Sequence, residues 1–267
     1  LDNYRMKLIF DIGYNKGAFA KECFATYALC IVVGVEPNQC LTDFSDQVQK
    51  RWEAGRAHWK YHEEFMQEAL ETMIHNRSTG RLRLITAAAT SRSDGAPINF
   101  HMSPMEPGIS TASNEFRTKS RFAVGSARNP FPRSWWIPHG IQVPSITLDE
   151  IVRQHGAPDL IKIDVEGYEY EVLQGLTTKQ KTICFEWTEE MPHVLHKGVE
   201  HLQSIGYQEF GIIGYFVEGQ YSETVTFSEK GDPFLIEPDN YYAWEEIEID
   251  EVIHPDRRIN YGMLFAR

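Results

Sequence analysis

Residues 7–17 read Lys7-Leu8-Ile9-Phe10-Asp11-Ile12-Gly13-Tyr14-Asn15-Lys16-Gly17, and residues 31–38 read Ile31-Val32-Val33-Gly34-Val35-Glu36-Pro37-Asn38. Together they spell strand, glycine turn, helix, strand, acid. The first run is short and apolar, as a strand buried on both faces requires. Gly13 and Gly17 let the backbone approach a ligand where a Cβ would collide. The helix that follows, about residues 16–27, turns unpaired N–H groups and a positive dipole end toward whatever lies over the turn. Glu36, ending the second strand, offers two acceptor oxygens to the two hydroxyls of a ribose. This is how a parallel α/β sheet holds an adenosine-bearing cofactor.

The glycine spacing separates the candidate cofactors. A dinucleotide fingerprint is G-x-G-x-x-G, with a pyrophosphate on the helix N-terminus. This chain has Asp11-x-Gly13-x-x-x-Gly17 instead. A carboxylate is a poor neighbour for a pyrophosphate and a good one for an amino group or a sulfonium. The spacing favours S-adenosylmethionine over a nicotinamide cofactor. The plainer alternative is a strand-turn-helix whose glycines serve only the turn, which would leave the position of Glu36 a coincidence.

At 267 residues the chain suits one α/β domain with insertions. Its 42% hydrophobic and 24% charged content are those of an ordinary globular protein. A net charge of −12, without a Lys- or Arg-rich run, argues against long-range steering of nucleic acid. No apolar stretch approaches bilayer length and no signal-peptide pattern opens the chain. Cys23, Cys30, Cys40 and Cys184 lack C-x-x-C or zinc spacing and read as reduced core thiols, which points to the cytoplasm. The chain starts at Leu1 and the first core strand follows almost at once. The expectation is a single domain over 1–267, cut from a longer multidomain protein.

Further along, residues 43–75 read as helix and residues 82–88 as a third strand. Residues 97–102 alternate as an exposed-faced strand, with residues 141–146 as its partner. Between them, residues 103–140 form an insertion too long for an ordinary connection. Thr147 caps a helix with acids in its first turn. Residues 159–164 and 181–187 are the fourth and fifth strands, with helices after each. Residues 207–213 and 259–265 suit two edge strands around a second insertion, 214–258. The acidic run at 245–251 reads as solvated surface.

Four strand ends therefore carry acids: Asp11, Glu36, Asp164 and Glu186. Ligands of open parallel sheets bind beyond the C-terminal strand ends, at the topological switch point. One such acid usually caps the next helix. Four at four ends point to a shared crevice.

The first glycine turn, Val35-Glu36-Pro37-Asn38, Thr147-Leu148-Asp149, and above all Asp159-Leu160-Ile161-Lys162-Ile163-Asp164-Val165-Glu166-Gly167-Tyr168-Glu169 followed by Val172-Leu173-x-Gly175, resemble the FkbM-type S-adenosylmethionine-dependent methyltransferases. The resemblance spans about residues 7–186 and the terminal strand. It departs at Tyr14 and Lys16, where smaller or apolar residues are more usual. It implies a Rossmann-like class I methyltransferase fold, a seven-stranded, mostly parallel sheet with helices on both faces. It also implies transfer to an oxygen, often a hydroxyl of a sugar or of another natural-product alcohol. Members occur fused to glycosyltransferases. By the same resemblance, Asp11, Gly13, Tyr14, Asn15, Gly17, Glu36, Pro37, Asn38, Ala88 and Asp164 surround the cofactor.

Methyl transfer to an alcohol is an in-line displacement that also requires removal of a proton. Asp164 and Glu186 are the candidate bases. Lys162, two residues before Asp164 and on the same strand face, either holds a carboxylate, contacts the acceptor or serves local neutrality. Glu166 either caps the next helix or meets the acceptor or a metal. Asp164, Glu166 and Glu186 together suit Mg²⁺, a hard cation. Trp135 and Trp136, with Trp244, either stack on a sugar ring or anchor their loops. Ser110, with Thr111 and Ser113, is placed at the acceptor mouth. His101, His139 and His193 default to the surface. The competing functions are a nicotinamide-dependent oxidoreductase and a non-catalytic glycan-binding module that keeps the fold.

Overall fold

In the computed structural model, residues 6–42, 75–103, 106–124, 126, 136–218, 221–225, 242, 247 and 259–267 are described. The helix expected over 43–75 and Trp135, Tyr241 and Trp244 lie outside them, His75 excepted. The strands in chain order are β1 (Lys7–Ile12), β2 (Cys30–Val35), β3 (Leu82–Ile85), β4 (Ala88–Ala89), β5 (Ile98–Phe100) and β6 (Ile141–Val143). They continue with β7 (Ser145–Ile146), β8 (Leu160–Ile163), β9 (Ile183–Thr188), β10 (Phe210–Glu218), β11 (Tyr221–Val225) and β12 (Ile259–Ala266). The helices are α1 (Ala18–Thr26), α2 (Gln39–Thr42), α3 (Asn114–Lys119), α4 (Leu148–His155), α5 (Glu169–Leu173) and α6 (Pro192–Ser204).

The main sheet has the order β11-β10-β12-β9-β8-β1-β2-β3. β3, β2, β1, β8 and β9 pair in parallel, whereas β12 runs antiparallel to both β9 and β10. These are the seven strands of the expected fold. The eighth, β11, pairs antiparallel with β10 inside the stretch read as an insertion. β10 runs past residue 214 to Glu218, and β11 extends the sheet edge.

Side chains alternate across the sheet with period two. Phe10, Ile12, Val33, Ile161, Ile163, Phe185 and Trp187 face a core closed by Leu148 and Ile151 of α4, Val172 and Leu173 of α5, and Leu195, Val199 and Leu202 of α6. Ile9, Val32, Leu160, Cys184 and Phe265 face the other side, under Phe19, Ala20 and Cys23 of α1. Cys30 and Cys184 are buried, as their strands predict. The Thr147 hydroxyl caps α4 by accepting from the Glu150 amide at 3.1 Å. The β5–β6 pair is antiparallel, as the alternation of residues 97–102 anticipates. No helix among the described residues is long and apolar enough to cross a membrane.

Candidate active site

The topological switch lies between β1 and β8, whose successors β2 and β9 lie on opposite sides. Beyond their C-terminal ends opens a cleft of about 460 Å³, within the range of small-molecule sites. Gly13, Tyr14, Asn15, Glu36, Pro37 and Ala88 line one part of it, and Lys162, Asp164, Glu166 and Glu186 another. Ser110 reaches it from the insertion, beside Pro107, Gly108 and Ala112.

The turn is built largely for the protein itself. Gly13 has φ +82°, and a Cβ there would run into the carbonyl oxygen of Asp164. Gly17 caps α1 with φ +77°. The room left by Gly17 and Gly34 is filled by the ring of Tyr14, which is buried. This corrects the reading of Gly17 as a gap for a ligand: the larger residue at position 14 occupies it. Burial, and next the charge of Asp11, push the Tyr14 phenol up.

Glu36 is 6% exposed, and its carboxylate closes the turn. One oxygen accepts from the Asn15 amide and the other from the Asn38 amide, both at 2.8 Å. Burial pushes its pKa up to about 7, against the pull of those two bonds. Each oxygen keeps a second acceptor site, so the group fits the paired hydroxyls of a ribose.

Asp11, Lys162 and Cys184 form one row across β1, β8 and β9. Parity of the strands puts them on the α1 side, with Asp164 and Glu186 two residues further along. The Lys162 ammonium lies 3.4 Å from Asp11 and 3.0 Å from Asp164. Asp11 is fully buried, is not among the residues that line the cleft, and has the Lys162 ammonium as its counter-charge. Burial raises its pKa to about 6, with Lys162 opposing. Burial alone would lower the Lys162 pKa; Asp164 and Asp11 reverse that and raise it.

Asp164, Glu166 and Glu186 bring one carboxylate oxygen each within 4.8 Å of the others. Burial first, then the nearby charge of Asp164, pushes the carboxyls of Glu166 and Glu186 well above the usual range. Like charges this close oppose one another's ionisation. The sequence reading did not include Tyr261 of β12, which lines the same part of the cleft and feels the charges of Glu186, Asp164 and Glu166. The Arg121 guanidinium lies 5.6 Å from its ring centre and makes two hydrogen bonds, at 2.8 and 3.0 Å, to Glu190. Tyr261 shares a strand face with Met263, which sits opposite Glu186; that pairing was its only advance signal.

Trp136 is buried against Phe116 and donates its indole N–H to the Ile109 carbonyl at 2.8 Å. It does not line the cleft, so of its two readings the structure shows the loop anchor. His101 departs from the surface default: it is 6% exposed and lies 2.6 Å from Arg117. His139 is exposed and His193 meets Glu115 at 3.2 Å.

A doubly wound, mostly parallel sheet with acids beyond its central strand ends places the chain among the Rossmann-like α/β domains. Residues 11–210 match the methyltransferase FkbM domain, and the chain belongs to that family. Among solved structures it is similar to a precorrin-6y C5,15-methyltransferase from Geobacter metallireducens GS-15, at 10% identity and TM-score 0.40, covering 100% of this chain and 83% of that one. It is also similar to a methyltransferase FkbM from Methylobacillus flagellatus KT, at 14% identity and TM-score 0.42, covering 78% of this chain and 40% of that one. No curated protein matches the sequence.

Proposed function

We propose that this chain methylates an oxygen, with S-adenosylmethionine as donor and a hydroxyl on a sugar ring of a glycan as acceptor. The observation that carries the reading is the grouping of Asp164, Glu166 and Glu186 at one end of a cleft whose other end is closed by Glu36. When bound, the cofactor supplies an electrophilic methyl group on a sulfonium. Glu36 and the turn it orders take the ribose, with Ala88 and Pro37 beside it. Glu186 takes the hydroxyl proton. Its raised proton affinity suits a base, since a carboxylate with an ordinary pKa is too weak to draw a proton from an alcohol. Asp164, oriented by Lys162, and Glu166 bind the acceptor hydroxyl and its neighbours. Tyr261 and Ser110 line the approach, with the aromatic face of Tyr261 replacing Trp136 as the stacking surface.

The test incubates the protein with isotopically labelled S-adenosylmethionine and a panel of oligosaccharides, read by mass spectrometry. A single labelled methyl on a sugar oxygen supports the reading. Labelling on nitrogen or carbon, or cofactor binding with no transfer, would sink it. The same three carboxylates suit Mg²⁺. If transfer is lost on chelation and restored by Mg²⁺, Asp164, Glu166 and Glu186 would hold the metal, which would acidify the acceptor hydroxyl.

A further inference from the structure

Glu166 is one of two residues other than glycine with a positive φ among those described, at +57°. A side chain rarely adopts this left-handed backbone, and it persists only where surroundings hold it. The two amides flanking Glu166 are held from within the same turn. The Glu169 carboxylate, 2% exposed, accepts from the Val165 amide at 3.0 Å and the Gly167 amide at 3.2 Å. The Glu166 carbonyl is held from elsewhere. The Thr111 hydroxyl, in the 103–140 insertion and 55 residues away, donates to it at 2.7 Å.

Thr111 is fully buried and fixed on its own account. Its backbone exchanges two hydrogen bonds with His101, at 2.7 and 3.0 Å. Its hydroxyl oxygen also accepts from the Ser113 amide at 2.8 Å, where α3 begins. One hydroxyl thus joins the insertion to the acid-bearing turn.

We propose that Thr111 is a positioning residue: through the Glu166 carbonyl it holds that residue left-handed and directs its carboxylate toward Asp164 and Glu186. This rests on the proposed function only in giving the Glu166 carboxylate a use; the geometry stands without it. The insertion then sets the geometry of the acid cluster as well as lining the cleft. Residues that seat the acceptor and residues that act on it belong to one hydrogen-bonded unit.

The test labels carboxyl groups with a water-soluble carbodiimide and glycine ethyl ester, and reads each site by mass spectrometry. In Thr111→Val the carbonyl loses its donor and the turn relaxes. Labelling of Glu166 is expected to rise roughly threefold or more, with Glu22 and Glu209 as unchanged references. Thr111→Ser keeps the hydroxyl and restores wild-type labelling. Ser113→Ala removes the α3 cap, which accepts from Phe116 at 3.1 Å, and leaves Glu166 unchanged. Affinity for S-adenosylhomocysteine stays within about twofold in all three variants. Equal labelling in Thr111→Val, an equal rise in Ser113→Ala, failure of serine to restore, or a joint loss of cofactor affinity would each overturn the proposal. Absence of methyl transfer to any acceptor would remove the proposed function and leave this labelling result untouched.

Discussion

Glu36 and Gly13 both line the cleft, and their substitutions are expected to fail in different ways. Glu36 closes the turn with two backbone bonds and faces the cleft with what remains, where the proposed function places the ribose. Glu36→Gln replaces one acceptor oxygen by a donor, which sets an amide against an amide. Calorimetry with S-adenosylhomocysteine is expected to show at least tenfold weaker binding, about 1.4 kcal/mol; unchanged affinity would remove the ribose assignment. Gly13 fails differently. In Gly13→Ala the new Cβ meets the Asp164 backbone, so β1 and β8 must part. Loss of folded protein, seen by circular dichroism, is expected rather than a catalytic defect. For the base, Glu186→Gln should lower transfer by ~10²-fold or more while S-adenosylhomocysteine still binds. Loss of both together would make Glu186 a structural residue.

At the scale of elements, the insertion is a folded part of the domain. Trp136, Phe116, Ile109, Met191 and Val194 form a small core of their own that fastens Ile109, Phe116 and Trp136 onto the start of α6. Trp136→Ala is expected to cost ~3–5 kcal/mol in urea unfolding, as other large core deletions do. A change below ~1 kcal/mol would return Trp136 to the surface. This is also where reading from sequence loses its grip. β1, β2 and β8 were plain because a strand buried on both faces announces itself by composition, and parity alone put Lys162 and Asp164 on one face. Trp136 left both readings open because an aromatic in a polar stretch has the same local signature on a sugar or on a core. Tyr261 and Arg121 gave no local pattern at all: the pairing of β12 with β9 brings Tyr261 in, and Arg121 meets Glu190 only through the fold. β11 was hidden for a related reason, since an edge strand needs no buried face to declare it.

Taken whole, the molecule concentrates buried carboxyls around one cleft, and this sets its response to pH. Asp11 titrates near about 6, and Glu36 and Glu169 near about 7, each raised first by burial. A raised carboxyl keeps its proton in the folded state at pH values where the unfolded chain has released it. Its stabilising effect is full below the ordinary values of 3.8 and 4.5, and it is lost as pH rises through about 6 to about 7. The Tm of the cofactor-free protein is therefore expected to fall between about pH 4 and about pH 7, and Glu169→Gln to flatten that slope. A Tm that climbs across the window would show that the surface pairs dominate. The turn at Glu36 adds one more consequence. Its carboxylate is already immobilised by the chain, so under the proposed function a ribose meets a rigid template and orders little. Ligand selectivity and local architecture are thus vested in one side chain, and no substitution at that position tunes the first without disturbing the second.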